Sequence, residues 1–205
     1  MDDFFACFLE EFAPEIGRQK APDSSMVLYR RRLPEQLLQY WNEHGWSGYA
    51  NGLFWTVNPQ EYEAVLGHWL TDTEFKGLEN YHVIARSAFG VLYVWGEKSG
   101  YCLTISCPMA RYSSRVSRFT GLKMDFGVKA FFSGMNAGSN DFADMFEAAV
   151  EKLGRLKSDE MYGFVPALAL GGPIEFNNLQ KVKTIEHLEF LSQLTPLTDW
   201  GFPDY

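Results

Sequence analysis

Four histidines, three cysteines and a few serine- and glycine-bearing turns are the residues through which this 205-residue chain could do chemistry. His44, His68, His82 and His187 stand on separate stretches, and none forms HExxH, HxH or a Cys/His pair at the spacing a metal ion requires. Cys7, Cys102 and Cys107 are odd in number and contain no CxxC pair, so they read as free thiols in the core. Ser87 lies between Arg86 and Ala88, outside the GxSxG turn that exposes a hydrolase nucleophile. Gly171-Gly172 lacks the following Lys-Ser/Thr of a phosphate loop. No catalytic, cofactor-binding or metal-binding residue is expected.

Charge is the more informative chemistry. The net charge is −8, and it alternates along the chain: acidic over 1–16, basic over 17–32, acidic over 33–80, basic over 81–135 and acidic over 136–205. Such a balance disfavours non-specific binding to nucleic acid and favours a basic protein partner, whose approach the long-range field accelerates. Arg30-Arg31-Arg32 and the basic middle (Arg111, Arg115, Arg118, Lys123, Lys129) read as a solvated face or as internal partners of the acidic N-terminal stretch. Asp141, Asp144, Glu147 and Glu151 are the candidate partner-binding residues. On a helix from Asp141 to about Leu156 they fall within ~120° of one another, opposite an apolar stripe of Phe142, Met145, Phe146, Ala149 and Leu153.

The elements that must position these groups follow from periodicity and capping. Asp2–Ile16 is amphipathic at helical spacing, with Pro14 ending or bending the helix near Ala13. Pro34 opens a helix that Gly45 stops, and Asn58 caps another over Pro59–Leu70. His82–Arg86, Val91–Trp95 and Tyr101–Cys107 alternate as strands, the last two joined by a hairpin at Lys98-Ser99-Gly100. Tyr112–Arg118 and Val128–Phe132 are weaker strand candidates. Gly163–Gly172 reads as a buried apolar segment, and Ile185–Leu194 as a closing helix.

The aromatic fraction of 16% is high, and the stretch Leu33–Pro59 concentrates it: Tyr40, Trp41, Trp46, Tyr49, Phe54 and Trp55 lie between Gly45, Gly48 and Gly52. Each ring can remove ~150–250 Å² from water, so the stretch is expected in the core, with its glycines at turns. No apolar run approaches the ~20 residues of a membrane-spanning helix. The start MDDFFACFLEEF is acidic where a secretory leader is positive, so a cytoplasmic protein is expected. The fold class is α+β: N-terminal helices, a central antiparallel sheet, and C-terminal helices packed over one face. Residues 1–205 are expected to form one compact unit, with a helical subdomain over 1–80 and a sheet-plus-helix subdomain over 81–205.

Leu33–Pro59 resembles the signature of GAD-like domain proteins, a bacterial family that includes immunity proteins against type VI secretion toxins. HVIARSAFGVLYVWGE (82–97) resembles the start of the C-terminal domain of immunity proteins for type VI DNase effectors. Gly163–Gly172 followed by His187–Leu194 resembles that domain's end. The resemblance implies a cytoplasmic antidote that binds and neutralises a secreted toxin, a nuclease, without turnover. The rival reading is an enzyme or small-molecule-binding protein with a pocket among the aromatic residues of 40–55. Oligomeric state is left open.

Overall fold

The computed structural model describes residues 2–201. Helix α1 (Asp3–Phe12) begins where the Asp2 carboxylate accepts from the Phe4 and Phe5 amides, both at 3.0 Å, and stops at Ala13, before Pro14. Strand β1 (Ile16–Gln19), helix α2 (Asp23–Tyr29) and helix α3 (Glu35–His44) follow, and Gly45 closes α3 at φ 67°. Then come β2 (Trp46–Tyr49), β3 (Phe54–Thr56) and α4 (Pro59–Leu70), whose first turn is capped by Asn58 through the Gln60 amide. The aromatic stretch therefore runs from α3, which carries Tyr40 and Trp41, into two strands, and residues 1–80 are not helical throughout: three of their segments enter the sheet.

The middle strands are β4 (Tyr81–Ser87), β5 (Val91–Gly96), β6 (Gly100–Ser106) and β7 (Arg111–Ser114). Helix α5 (Met124–Ser133) occupies the stretch expected as a strand over 128–132. Its Val128, Phe131 and Phe132 stand at i, i+3 and i+4, so one helical face buries all three against the sheet. The chain ends in α6 (Phe146–Leu153), β8 (Glu160–Phe164), β9 (Leu179–Lys183), α7 (Thr184–Ser192) and β10 (Thr198–Asp199).

Eight strands make one sheet in the order β1-β2-β3-β4-β5-β6-β7-β10, antiparallel except for the parallel β7–β10 pair; β8 and β9 form a separate hairpin. Nearly every residue of β4 and β5 is buried, because helices cover both faces and not one. On one face α1, α2, α3 and α5 bring Phe5, Phe8, Phe12, Tyr29, Trp41 and Phe132 against Tyr49, Phe54, Tyr93 and Trp95. On the other, α4, α6, α7 and the β8–β9 hairpin pack on Trp55, Val83, Leu92, Val94, Leu103 and Ile105.

Three glycines surround the Trp55 ring. Gly52 needs its positive φ of 98°, but Gly48 is an extended strand residue whose role is space: a Cβ there would stand 2.8 Å from the ring. Trp41, Trp46, Trp55 and Trp95 are all buried.

Candidate partner-binding surface

The acidic row begins outside the helix. Asp141 Oδ1 accepts from the Phe146 amide at 2.9 Å and so caps α6 from upstream. Between them the chain makes a tight turn in which Ala143 and Asp144 take left-handed backbone angles, φ 54° and 56°. That turn swings the Phe142 ring against Phe164, 5.3 Å between centroids. The helix expected over 141–156 is thereby cut to Phe146–Leu153, because a side-chain acceptor and a ring contact outcompete two more turns of helix.

The carboxylates nevertheless share one neighbourhood. Burial lifts the Asp141 carboxyl above its ordinary range, backbone donors partly offset this, and the charges of Asp144 and Glu147 add to the rise. Asp144, Glu147 and Glu151 are exposed, the last two one helical turn apart on α6. Phe146 and Ala149, on the inner face, are buried.

Beside the acids lies apolar surface that the residue types alone assigned to the core. Gly163 and Phe164 are buried in β8, but Val165 is 40% exposed, Leu170 61% and Ile174 48%. Gly172 folds back against the Pro166 carbonyl, where a Cβ would come within 2.1 Å, so the loop after β8 is held in a tight bend. Ile174 and Asp141, Phe142 and Ala143 line one cleft of about 380 Å³. Lys152 of α6 reaches the same loop, donating to Asn177 at 3.1 Å and lying over the Phe176 ring. Helix, turn and loop thus make one continuous surface.

Behind that surface stands Arg86, a residue sequence reasoning passed over. Its side chain is 0% exposed and donates to the carbonyls of Ser158 and Glu160, each at 2.9 Å, and of Ser87 at 3.2 Å. Its guanidinium lies 5.3 Å from the Trp55 ring centre. Arg86 therefore ties the segment after α6 to the sheet. Tyr162 adds a second tie, donating through its hydroxyl to the Gly154 carbonyl at 2.8 Å.

The chemistry-bearing residues are dispersed. His44 meets Glu15, His68 meets Glu189 and His82 meets Glu97, three separate pairs on different elements. Among the described residues no three His, Cys, Asp or Glu side chains gather as a metal site. Ser87 Oγ accepts from the Phe89 and Val91 amides and so shapes the β4–β5 turn. Cys102 and Cys107 are buried, and burial pushes both thiols up, away from the nucleophilic thiolate; Cys7, expected in the core, is exposed. In the 40–55 stretch Tyr40, Trp41, Tyr49 and Phe54 pack on other rings of the core, while Trp46 and Trp55 line a cleft shared with Glu61 and Ser158. Of the basic residues, Lys129 pairs with Asp2 at 3.6 Å. No helix among the described residues is long and apolar enough to cross a membrane.

Comparison with known proteins places residues 82–97, read above as the start of the C-terminal immunity domain, within the N-terminal match instead. The family model of the GAD-like domain matches residues 3–109, and that of the C-terminal domain of the type VI secretion immunity protein Tdi1 matches residues 125–195. The second match spans the acidic turn, α6, the exposed loop and α7. The fold is similar to the crystal structure of Atu4351 from Agrobacterium tumefaciens, with a TM-score of 0.84 and 21% identity over 97% of this chain and 94% of that one. Among curated proteins none matches.

Proposed function

This chain belongs to the GAD-like family, and from that premise we propose that it is a cytoplasmic immunity protein that neutralises a cognate type VI secreted toxin by stoichiometric binding. The match of residues 125–195 to an immunity protein's C-terminal domain carries the proposal. The toxin is a nuclease: such an enzyme must hold Arg and Lys toward phosphate, and an antidote gains by offering carboxylates in the same place. Asp141, Asp144, Glu147 and Glu151 supply the carboxylates, and the exposed Ile174, which shares a cleft with Asp141, supplies adjoining apolar area.

Carboxylates beside exposed apolar side chains suit a protein interface. Exposed charge pairs contribute little alone, but pairs desolvated within an interface can be worth several kcal/mol, and the field of the acids speeds encounter with a basic toxin. A standard interface buries ~1,600 Å², so the acids act together with the loop after β8. The protein itself turns nothing over.

The test is the triple variant Asp144→Lys, Glu147→Lys, Glu151→Lys. All three side chains are exposed, so folding should persist, with a small cost at Asp144, whose left-handed backbone angle suits Asp better than Lys. Association with the toxin should be slower than for the unaltered protein at low salt, and the two rates should converge as salt screens the field. A triple variant that protects cells as well as the unaltered protein would refute this placement of the interface.

A further inference from the structure

A second site lies apart from the acidic surface. Between β5, β6, the segment after β7 and α5 there is a cavity of about 530 Å³, within the usual range for small-molecule pockets. Its floor is aromatic: Tyr93, Tyr101 and Phe131 pack on one another, with Phe131 edge-on to Tyr101 at 4.8 Å. Phe119 forms another wall. Its polar side is basic, with Arg115 and Arg118 at the mouth and no acidic residue in the lining.

Neither arginine has a carboxylate partner among the described residues. The Arg115 guanidinium sits 4.4 Å from the Tyr101 ring centre. Tyr101 is itself held by Thr104, hydroxyl to hydroxyl at 2.7 Å. Among the described residues no carboxylate lies within ion-pair distance of Arg115 or Arg118. Glu11 reaches the rim, but its Oε1 already accepts from the Asn136 amide at 3.2 Å and from Ala137 N at 2.6 Å. Two guanidinium groups without a carboxylate partner among the described residues, over an aromatic floor, make a local anion site in a chain of net charge −8.

We propose that this cavity binds a small aromatic anion: a planar ring bearing a phosphate or carboxylate, no larger than a nucleoside monophosphate. The ring lies on Tyr93, Phe131 and Phe119, and the anion meets Arg115 and Arg118, with the Ser113 hydroxyl beside them. The site joins β5 and β6 of the GAD-like segment to α5 of the immunity-type segment, so an occupant stabilises the packing of one on the other. It is independent of toxin binding.

Calorimetric titration of the full chain with adenosine 5′-monophosphate, 4-hydroxyphenylacetate, adenosine and inorganic phosphate tests this. At least one aromatic anion should bind saturably at one site, and which one does distinguishes phosphate from carboxylate. Adenosine and inorganic phosphate should each bind at least about tenfold more weakly, since each lacks half of the recognition. The double variant Arg115→Ala, Arg118→Ala should lose about tenfold or more in affinity while melting, unliganded, as the unaltered protein does. Ala130→Trp, on the half-exposed cavity side of α5, should abolish binding by filling the space. Absence of saturable binding by both anions, equal affinity for adenosine, or undiminished affinity in the folded double variant would each overturn the proposal.

Discussion

Replacing Arg86 with Met should destabilise the fold more than any surface change. The side chain is fully buried, and three carbonyls, of Ser87, Ser158 and Glu160, receive its protons. Hydrogen bonds from a charged donor contribute about 1.5–3 kcal/mol each, a gross ~5–9 kcal/mol for three. Removing the charge also removes its desolvation penalty, and breaking a buried charged arrangement from one side typically costs ~3–5 kcal/mol net. For a chain of this size each kcal/mol lowers the melting temperature by about 2–4 °C, so the fall should be ~6–20 °C. Lys should recover only part of this, because an ammonium lacks the planar fork that reaches three acceptors and stacks on Trp55. Circular-dichroism melts with urea unfolding measure the loss, and hydrogen exchange should show faster opening of the backbone around β8. If Arg86→Met melted within about 2 °C of the unaltered protein, the side chain would not be the tie described here.

Two other changes probe the frame. Trp46, buried beside Trp41 at 5.8 Å between ring centres, should cost ~3–5 kcal/mol when truncated to Ala; an unchanged melting temperature with lost toxin binding would make it an interface residue instead. Burial holds the His187 imidazole below its ordinary 6.5, so the unfolded chain takes the proton first and stability drains as pH falls from about 6.5 through the lower folded value. His187→Gln should flatten stability across that window, and an unaltered slope would contradict the assignment.

Capping and turn chemistry were legible where one residue decides the local outcome. Asn58 with Pro59, Pro34 with Gly45, and the Lys98-Ser99-Gly100 hairpin all stand as their types require. What failed were stretches in which local preference met a tertiary competitor. Val128–Phe132 is apolar enough for a strand, yet its i, i+3, i+4 spacing was the truer signal, because α5 needs one face for the aromatic core. Strands of four and three residues, β2 and β3, are too short for alternation to register between glycines. Asp141 looked like a helix residue until its carboxylate was seen to take the Phe146 amide. Apolar type placed Val165 and Leu170 inside, but burial depends on a partner, and among the described residues none covers these two side chains fully. Arg86 carries no sequence signature at all: a strand arginine becomes a buried tie only once the Ser158–Glu160 backbone folds against it.

The central claim, neutralisation by binding without turnover, is tested most directly by titrating a purified candidate type VI toxin with the intact protein and following the residual toxin activity. Tight stoichiometric inhibition predicts a linear fall to zero at one equivalent, with a complex of matching composition surviving gel filtration. Loss of toxin activity at far less than one equivalent would mean catalytic destruction of the toxin, and full activity in excess protein would mean no inhibition. Either result would contradict the account.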